Sequence, residues 1–360
     1  MQWNKLNEYY EGTTTNFKFT EKIASFDLDD TLITPKNKKD KKDKKNTFSN
    51  GPDDWRWLYD NIIIDKLKEL YEDGYCIIIV SNQMGIGKGK VSGDDWIKKI
   101  ENINNELKLE MKVFCSLNNN KYRKPIPTFF KEFFPDKISS KSFYCGDACG
   151  RKDDFSDTDY KFAFNCNLNF YTPEQLFLKE KYTFGEIKYC LNFNDKKKFD
   201  FKFEPSTKNE MLIMVGMQGS GKSHISKYIS DNYNYEIVNR DTEKTMPKCI
   251  KKVMLLLEAN KNLIIDNTNP SKEARKIWID IAKQNNYNVR ILHMNTDIEL
   301  CKHNNIYRSI TKNIDIVPDI AYNMYKSKYE KPDAVIECVN DIVNIEPSYP
   351  EDSNYFNYFM

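Results

Sequence analysis

The sequence predicts an α/β protein of two domains, each a mostly parallel sheet flanked by helices. Short apolar runs alternate with amphipathic segments along most of the 360 residues, a pattern typical of parallel-sheet architectures. A chain of this length is long for one domain and comfortable for two. Hydrophobic residues make up 40% of the sequence, which is enough for each half to bury its own core.

The apolar runs form two series separated by a charged segment. They predict strands at 22–27, 75–80, 111–115 and 142–145, then at 211–215, 235–238, 262–266, 289–293 and 334–338. Helical periodicity predicts helices at 61–73, 94–108, 157–166, 222–232, 248–260, 271–285 and 297–309. Residues 191–210 are charged and lack this periodicity. We therefore expect domains at 1–190 and 211–360, joined by a linker over 191–210.

Composition excludes several classes of protein. With 55 basic and 53 acidic side chains the formal charge is only +2, so a general nucleic-acid footprint is absent and any such surface must be local. Nine cysteines without a Cys-x-x-Cys pair, and only three histidines, argue against a disulfide framework or a zinc site. No segment has the length and hydrophobicity of a signal peptide or membrane span. We expect a soluble intracellular protein without a membrane partner, in the nucleus, the cytoplasm or a viral factory.

The stretch "IASFDLDDTLI" places two carboxylates, Asp27 and Asp29, on the same side of a strand end. In a parallel sheet that end opens on the ligand-binding crevice. Two anions this close repel each other unless a cation lies between them or one is protonated. Both conditions suit phosphoryl transfer with Mg²⁺, a covalent aspartate nucleophile and a neighbouring aspartate that protonates the leaving oxygen. A plain turn or helix cap is the alternative interpretation.

Three later segments favour the catalytic interpretation. Ser81 follows the apolar run "YCIIIV", Lys124 lies in "YRKPIP", and Asp147 ends the run in "FYCGDACG". This order resembles the haloacid-dehalogenase-like phosphatases. The resemblance implies that Asp27 is the nucleophile and Asp29 the general acid/base. It also implies that Mg²⁺ is bound by Asp27, Asp147 and the backbone carbonyl of Asp29.

The second half contains a phosphate-binding loop. "GMQGSGKS" fits G-x-x-x-x-G-K-[ST] between an apolar run and an amphipathic segment. Gly216, Gly219 and Gly221 belong to a loop whose backbone N–H groups cradle phosphate oxygens. Lys222 is expected to reach the β- and γ-phosphates, and Ser223 to hold Mg²⁺. The motif therefore predicts ATP and Mg²⁺ as cofactors.

Three further residues are candidates for the kinase reaction. Asp241 follows strand 235–238 in "NRDTEKT" and is placed to accept the proton of an attacking hydroxyl. Asp266, in "IIDNTNP", is either a metal or substrate ligand or a strand-end cap. Arg308, in "CKHNNIYR", is a candidate to stabilise charge on the transferring phosphoryl group. A lone arginine on a helix is more often solvated, so this last assignment depends on the family resemblance.

Taken together, the two halves resemble the bifunctional polynucleotide phosphatase/kinase family, which repairs strand-break termini. The resemblance extends from about residue 20 to 340 and is carried, in the family's order, by "FDLDDTLI", "SNQMGIGKGK", "YRKP", "GDACGR", "DFSDTDYKFAFN", "GMQGSGKS", "NRDT", "IDNTNP" and "HNNIYR". It implies removal of a 3′-phosphate by Asp27 and Asp29 with Mg²⁺. It also implies ATP-dependent phosphorylation of a 5′-hydroxyl, with Asp241 as general base. The implied partners are nucleic-acid ends and ATP.

The sequence departs from the family at two sites. The loop after the phosphatase metal ligand is compact, which leaves the second acidic partner between Asp153 and Asp154. On the helix that ends in "NNIYR", Lys302 and Ile306 stand where the family has further arginines, and only Arg308 is kept. Lysine does not reproduce the bidentate fork of arginine, so kinase efficiency or specificity is open.

Other interpretations of the chain remain. The first catalytic strand begins near residue 22, so we expect neither the forkhead-associated domain of animal members nor scaffold docking through it, and we expect a monomer. The phosphatase-first order favours DNA as substrate, whereas RNA end repair is the alternative. A nucleotide-gated end-binding protein with weakened catalysis is a third hypothesis, suggested by the altered arginines.

The basic run at 36–45 follows the first aspartate-bearing strand, and it is either a solvated loop or a segment that tracks the phosphate backbone. If it binds DNA, deleting it will weaken binding to a nicked duplex and flatten the slope of log K against log salt concentration. Titrations of both proteins at several salt concentrations measure that slope. An unchanged slope would assign the run to a solvated loop.

Overall fold

The computed structural model describes residues 1–38, 51–181, 201–312 and 314–359. The chain divides into two compact units, Met1–Tyr189 with Asn357–Met360, and Cys190–Phe356. Residues 39–45 of the basic run and 191–200 of the expected linker lie outside the described residues. The domain boundaries expected from the sequence therefore stay a prediction.

Fourteen strands and twelve α-helices are present among the described residues. The strands are β1 (Gln2–Lys5), β2 (Tyr9–Thr13), β3 (Lys22–Phe26), β4 (Ile33–Thr34), β5 (Arg56–Trp57), β6 (Tyr75–Asn82), β7 (Met111–Ser116), β8 (Phe143–Cys145), β9 (Asn169–Tyr171), β10 (Glu210–Val215), β11 (Glu236–Val238), β12 (Leu263–Ile265), β13 (Asn288–Met294) and β14 (Asp341–Ile345). The helices are α1 (Asn61–Glu72), α2 (Met84–Gly87), α3 (Gly93–Leu107), α4 (Thr128–Phe133), α5 (Thr158–Asn165), α6 (Pro173–Leu178), α7 (Lys222–Tyr233), α8 (Arg240–Glu243), α9 (Met246–Glu258), α10 (Lys272–Gln284), α11 (Ile298–Lys312) and α12 (Asp319–Lys328).

The first unit is built on a seven-stranded sheet in the order β1-β2-β7-β6-β3-β8-β9. Strands β7, β6, β3, β8 and β9 run parallel, while β1 and β2 add an antiparallel edge. On β6, Ile77 and Ile79 face one hydrophobic core, and Ile78 and Val80 face another. Because helices cover both faces, a continuous apolar run is required here in place of alternation.

The second unit is a five-stranded, fully parallel sheet in the order β11-β12-β10-β13-β14. The central strand β10 buries Met211, Ile213 and Val215 in one core and Leu212 and Met214 in the other. All five carboxyl ends lie at the same edge of the sheet, because the strands are parallel. The predicted class, two mostly parallel sheets flanked by helices, is confirmed.

Local capping fixes where several helices begin. Ser271 precedes α10, and its side chain accepts a hydrogen bond from the backbone N–H of Ala274. Thr172 and Gln175 form a reciprocal capping box at the start of α6, with Pro173 at the first helical position. Such side chains satisfy backbone donors that lack partners at a helix start, and each stabilises the helix by roughly 1 kcal/mol.

One predicted strand is wrong. Residues 334–338 form turns, and the last strand of the sheet is β14, which pairs in parallel with β13. The Asp333 carboxylate accepts hydrogen bonds from the backbone N–H groups of Val335 and Ile336, which favours a turn over an extended chain. Glu337 forms a buried ion pair with Arg275 at 2.7 Å. The apolar side chains of this run face solvent, with Val335 85% exposed.

The other predicted strands and helices are confirmed, with ends that differ by no more than three residues. The sequence reasoning missed the N-terminal hairpin β1–β2 and helix α12. In the described parts of the chain, no helix has the combination of length and apolar character that membrane crossing requires.

A buried histidine gives the second unit a pH dependence. His303 is fully buried in α11, and its Nε2 lies 2.7 Å from the backbone carbonyl oxygen of Tyr355. Burial lowers the pKa of His303 to about 4, although the hydrogen bond to Tyr355 opposes this. The unfolded chain takes up the proton first as the pH falls, so the stabilisation present above pH 6.5 is lost as the pH falls towards 4.

We expect the free energy of unfolding of this unit to fall by about 3 kcal/mol over that range, and His303→Gln to flatten this decline. Hydrogen exchange in α11, corrected for intrinsic exchange rates, measures the effect on this unit alone. An equal decline in the variant would assign the pH dependence to other groups.

Candidate active sites

Three carboxylates meet at the carboxyl edge of the first sheet. Asp27 directly follows β3, and its N–H donates to the carbonyl oxygen of Cys145 at the end of the neighbouring strand β8. Asp147 is the second residue after β8, and Asp159 lies in the first turn of α5. Ligand oxygens of Asp27, Asp147 and Asp159 lie within 4.8 Å of one another. The sequence predicted two of these residues together, and the fold adds the third.

A buried lysine sits between two of these carboxylates. The Lys124 ammonium donates to Asp27 Oδ1 at 2.6 Å, to Asp159 Oδ1 at 2.8 Å and to the hydroxyl of Tyr144 at 2.6 Å. Burial lowers the pKa of Lys124, but Asp159 and Asp27 outweigh it, so the pKa is raised overall. Lys124 is therefore a cation held between the carboxylates of Asp27 and Asp159.

Burial and the neighbouring Lys124 have opposite effects on the pKa of Asp27. Burial raises the pKa of Asp27 to about 7, even though Lys124 lowers it. A further cation would keep this carboxylate ionised, and oxygen donors are the ligands that Mg²⁺ prefers. The oxygens of Asp27 and Asp147 therefore fit Mg²⁺.

The backbone of Lys124 is held from both sides by Asn82. The N–H of Lys124 donates to Asn82 Oδ1 at 3.0 Å, and Asn82 Nδ2 donates to the Lys124 carbonyl oxygen at 3.1 Å. Asn82 is the last residue of β6, so the sheet itself positions the lysine. The sequence analysis quoted Asn82 within "SNQMGIGKGK" but assigned it no role.

Gln83 connects the other two predicted phosphatase residues. Its Nε2 donates to Asp29 Oδ2 at 2.6 Å and lies 3.0 Å from Ser81 Oγ. The Asp29 carboxylate is thus oriented by an amide, apart from the three-carboxylate cluster. This placement suits an acid/base group whose carboxylate stays outside the metal site. Gln83 is a second residue beside the predicted site that the sequence analysis quoted only as part of "SNQMGIGKGK".

Close packing explains a glycine in "GDACG". A Cβ on Gly146 would lie 2.4 Å from Asp159 Cγ, so no larger residue fits without displacing that carboxylate. The N–H of Ala148 donates to Asp159 Oδ2 at 3.1 Å. Asp159 is therefore held by backbone and by Lys124 together. The sequence analysis contained Asp159 only within "DFSDTDYKFAFN" and assigned it no role.

The two acidic residues considered as the second partner lie elsewhere. Asp154 accepts from Arg151 Nε at 2.9 Å and from the Cys149 N–H at 3.1 Å. Arg151 also donates to the Asp147 carbonyl oxygen at 3.0 Å. Asp154 thus shapes the loop that follows Asp147, and Asp153 is exposed. Among the residues described, only Asp159 joins the carboxylate cluster of Asp27 and Asp147.

In the second unit, the chain from β10 to α7 forms a glycine-dependent loop. Gly219 and Gly221 have φ of +78° and +99°, which side-chain-bearing residues rarely adopt. A Cβ on Gly216 would lie 2.6 Å from Ser220 Oγ. Lys222 begins α7, so the loop ends at the positive end of a helix dipole, where anions bind.

Side chains bind the carbonyl groups of this loop. Lys222 Nζ donates to the Met217 carbonyl oxygen at 2.8 Å, and Thr296 Oγ1 donates to that of Ser220 at 3.1 Å. A trans peptide group points its N–H opposite to its C=O. When these carbonyl oxygens are held on one side of the loop, the N–H groups of the same peptides point to the opposite side, as the binding of phosphate oxygens requires.

The predicted kinase residues line one cleft of about 1130 Å³, together with the loop: Lys222, Ser223, Asp241, Asp266 and Arg308. Burial lowers the pKa of Lys222 to about 8, against the effect of Asp266. Burial likewise raises the pKa of Asp266, whose Oδ1 has no hydrogen-bond partner among the described residues. Small-molecule sites span roughly 300–1,000 Å³, so the cleft has room for a nucleotide and part of a second substrate.

The segment "IDNTNP" ties the parts of this cleft together. Asn267 Oδ1 accepts from the N–H of Arg240, at the start of the short helix that carries Asp241. The Thr268 carbonyl accepts from the Gly216 N–H at 3.2 Å. Asn269, at φ +43°, donates to the Met214 carbonyl oxygen at 2.8 Å. Through these hydrogen bonds, the segment links the phosphate loop to the short helix that carries the predicted base.

Arg308 offers an unused donor to the cleft. Its Nη2 lies 3.3 Å from Asn305 Oδ1, while its buried Nε has no partner among the described residues. A bound anion would satisfy this donor. Lys302 instead forms an ion pair with Asp319 at 2.7 Å. Arg240 and Lys312, which the sequence reasoning did not select, also line the cleft.

The two units define a class of protein, a chain that joins a phosphatase domain to a P-loop kinase domain. The family model "Polynucleotide kinase 3 phosphatase" matches residues 22–177, and the model "AAA domain" matches residues 211–332. The chain belongs to the bifunctional polynucleotide phosphatase/kinase family, as the following relatives show.

The bifunctional polynucleotide phosphatase/kinase of Schizosaccharomyces pombe is 36% identical over 342 residues, 92% of this chain and 81% of that protein. A relative from Acanthamoeba polyphaga mimivirus is 34% identical over 382 residues, 92% of this chain and 87% of its own length. The solved structure of D,D-heptose 1,7-bisphosphate phosphatase from B. bronchiseptica, with magnesium and phosphate, aligns with 42% of this chain and 78% of its own, at 14% identity and TM-score 0.32.

Asp159→Asn tests the assignment of the third carboxylate. The change leaves Lys124 with one anionic partner in a buried site, so we expect the first unit to lose about 3 kcal/mol of unfolding free energy and its hydrolysis of phosphate monoesters to slow about 100-fold. Asp153→Asn, an exposed aspartate in the loop before α5, is the matched control. Equal losses in both variants, measured by denaturant unfolding and phosphate release, would contradict the assignment.

Proposed function

We propose that this protein heals broken nucleic-acid ends. Its first unit removes a 3′-phosphate and its second unit phosphorylates a 5′-hydroxyl with ATP. The observation that carries the proposal is the presence, on one chain, of two separate phosphoryl-transfer geometries. One is the carboxylate cluster bridged by Lys124, and the other is the cleft around the phosphate loop.

In the phosphatase reaction, Asp27 attacks phosphorus and forms an aspartyl-phosphate, while Asp29 donates a proton to the departing 3′-oxygen. Asp29, now a carboxylate, removes a proton from the water that attacks the acyl-phosphate; the bond between phosphorus and the Asp27 oxygen breaks, inorganic phosphate leaves and Asp27 is regenerated. Lys124 and Ser81 hold the phosphate oxygens. Gln83, which hydrogen-bonds Asp29, keeps that carboxyl aligned for both proton transfers. Asp27, Asp147 and the backbone carbonyl of Asp29 would hold Mg²⁺, which would supply positive charge against the dianionic phosphate.

In the kinase reaction, Asp241 accepts the proton of the 5′-hydroxyl as that oxygen attacks the γ-phosphate of ATP, and ADP leaves as the bond between the γ-phosphorus and the bridging oxygen breaks. Lys222 and Arg308 contact the transferring phosphoryl group, whose negative charge they stabilise. Ser223 and Asp266 present oxygens suited to Mg²⁺, which would neutralise charge on the phosphates. The buried, unpartnered Oδ1 of Asp266 supports a ligand at this position.

DNA strand breaks are the proposed substrate. Phosphatase and kinase together convert a 3′-phosphate and a 5′-hydroxyl into the 3′-hydroxyl and 5′-phosphate that a ligase joins. The phosphatase-first order of this chain favours the DNA-repair arrangement. Matched DNA and RNA oligonucleotides, compared by kcat/KM, separate this proposal from RNA end repair.

Two substitutions separate the activities on a nicked duplex that bears a 3′-phosphate and a 5′-hydroxyl. Asp27→Asn removes the nucleophile, so we expect 3′-phosphate release to fall at least about 1,000-fold while 5′-labelling from γ-labelled ATP continues. Lys222→Ala removes the cation at the phosphates, so labelling is lost while 3′-phosphate release continues. Analysis of both end groups with Mg²⁺, with and without ATP, measures each outcome.

The wild-type chain without ATP is the control for the phosphatase, and omission of Mg²⁺ is the control for both sites. Release of 3′-phosphate by Asp27→Asn at the parental rate would reject the nucleophile. Loss of both activities in either folded variant would reject the two-site proposal.

A further inference from the structure

The backbone carbonyl of Gly219, in the phosphate loop, is bound by a side chain of another element. Asn304 Nδ2, on α11, donates to this oxygen at 2.9 Å. The loop and the helix are in close contact here, because a Cβ on Gly219 would lie 2.2 Å from the Cys301 carbonyl oxygen. Asn304 belongs to "HNNIYR", but the proposed reaction gives it no role.

We propose that Asn304 is a positioning residue for nucleotide binding. It fixes the orientation of the phosphate loop and sets the register of Arg308 against that loop. The proposal rests on the kinase function proposed above and concerns residues of this chain that contact the loop.

The orientation of the Asn304 amide follows from the chemistry of its partners. A carbonyl oxygen only accepts hydrogen bonds, so Nδ2 must face Gly219 and Oδ1 must face the opposite way. There, Oδ1 accepts a short hydrogen bond from the hydroxyl of Tyr355. Tyr355 is 2% exposed and packs edge-on against Tyr307 with ring centroids 4.9 Å apart. A buried, packed donor therefore keeps the amide from turning over.

The same helix face carries Arg308. Residues four apart on a helix lie one above the other, and Asn304, Tyr307 and Arg308 all line the nucleotide cleft. The hydrogen bond from Asn304 to the Gly219 carbonyl therefore fixes the position of Arg308, along the axis of α11, relative to the phosphates. Loss of that bond would let the Gly219 peptide rotate, which would withdraw an N–H donor and displace the guanidinium together.

The first experiment compares wild type and Asn304→Asp in the full-length chain. The substituted carboxylate is the same size as the amide but offers only acceptors to the Gly219 carbonyl. We expect the dissociation constant for MgADP, measured by titration calorimetry, to rise at least about tenfold. The kcat/KM for ATP should fall by a similar factor, and 3′-phosphate release should be unchanged. Asn232→Asp, which alters an exposed amide-to-carbonyl bond on α7, controls for the added charge.

The second experiment is a double-mutant cycle with Tyr355→Phe, which removes only the hydroxyl. We expect MgADP to bind roughly threefold more weakly in Tyr355→Phe, and no further loss when this change is added to Asn304→Ala. Additive losses would mean that Tyr355 acts through general packing and would overturn the positioning role. This cycle remains informative if Asn304→Asp proves unstable.

The outcomes separate the two proposals. If wild type binds no MgADP, the kinase function fails. If wild type binds MgADP and Asn304→Asp binds it equally well, the role of Asn304 alone is overturned.

Discussion

The ion pair network of Lys124 is the constraint on which the first active site depends. Burying an ammonium group is costly unless anions accompany it, and Lys124 is 3% exposed. Asp27 and Asp159 provide that charge, so the lysine is held at the carboxyl edge of the first sheet. Burial also raises the pKa of Asp27, and a bound cation would favour the ionised form of this carboxylate.

The second site handles phosphate by a different physical principle. Here the donors are mainly backbone N–H groups and a helix terminus, and glycine permits the loop to adopt its shape. Burial lowers the pKa of Lys222 and raises that of Asp266, so it disfavours the charged form of both groups. Both groups would be stabilised by a nucleotide and its metal ion. In both sites, a bound ligand of opposite charge would therefore favour the ionised form of the buried charged groups.

Side-chain amides hold both sites in place. Asn82 brackets the backbone of Lys124, and Gln83 links Asp29 to Ser81. In the second unit, Asn267 and Asn304 bind backbone groups next to the predicted base and within the phosphate loop. An amide donates and accepts at once, so it joins two loops without adding charge to a site that must bind phosphate. This requirement gives a physical reason for the asparagine-rich motifs of the chain.

The sequence by itself determined the fold class, most strands and helices, and the residues that end β3, β6 and β8 or begin α7. These features are visible in the sequence because each depends only on residues that are neighbours along the chain. A strand buried on both faces shows as a continuous apolar run, and the phosphate loop shows as "GMQGSGKS". Only the tertiary structure decided that Asp159 joins Asp27, that 334–338 turns away from the sheet, and that Asn304 reaches Gly219. These contacts join residues distant in sequence, and their geometry is set by loop paths and packing that local periodicity does not encode.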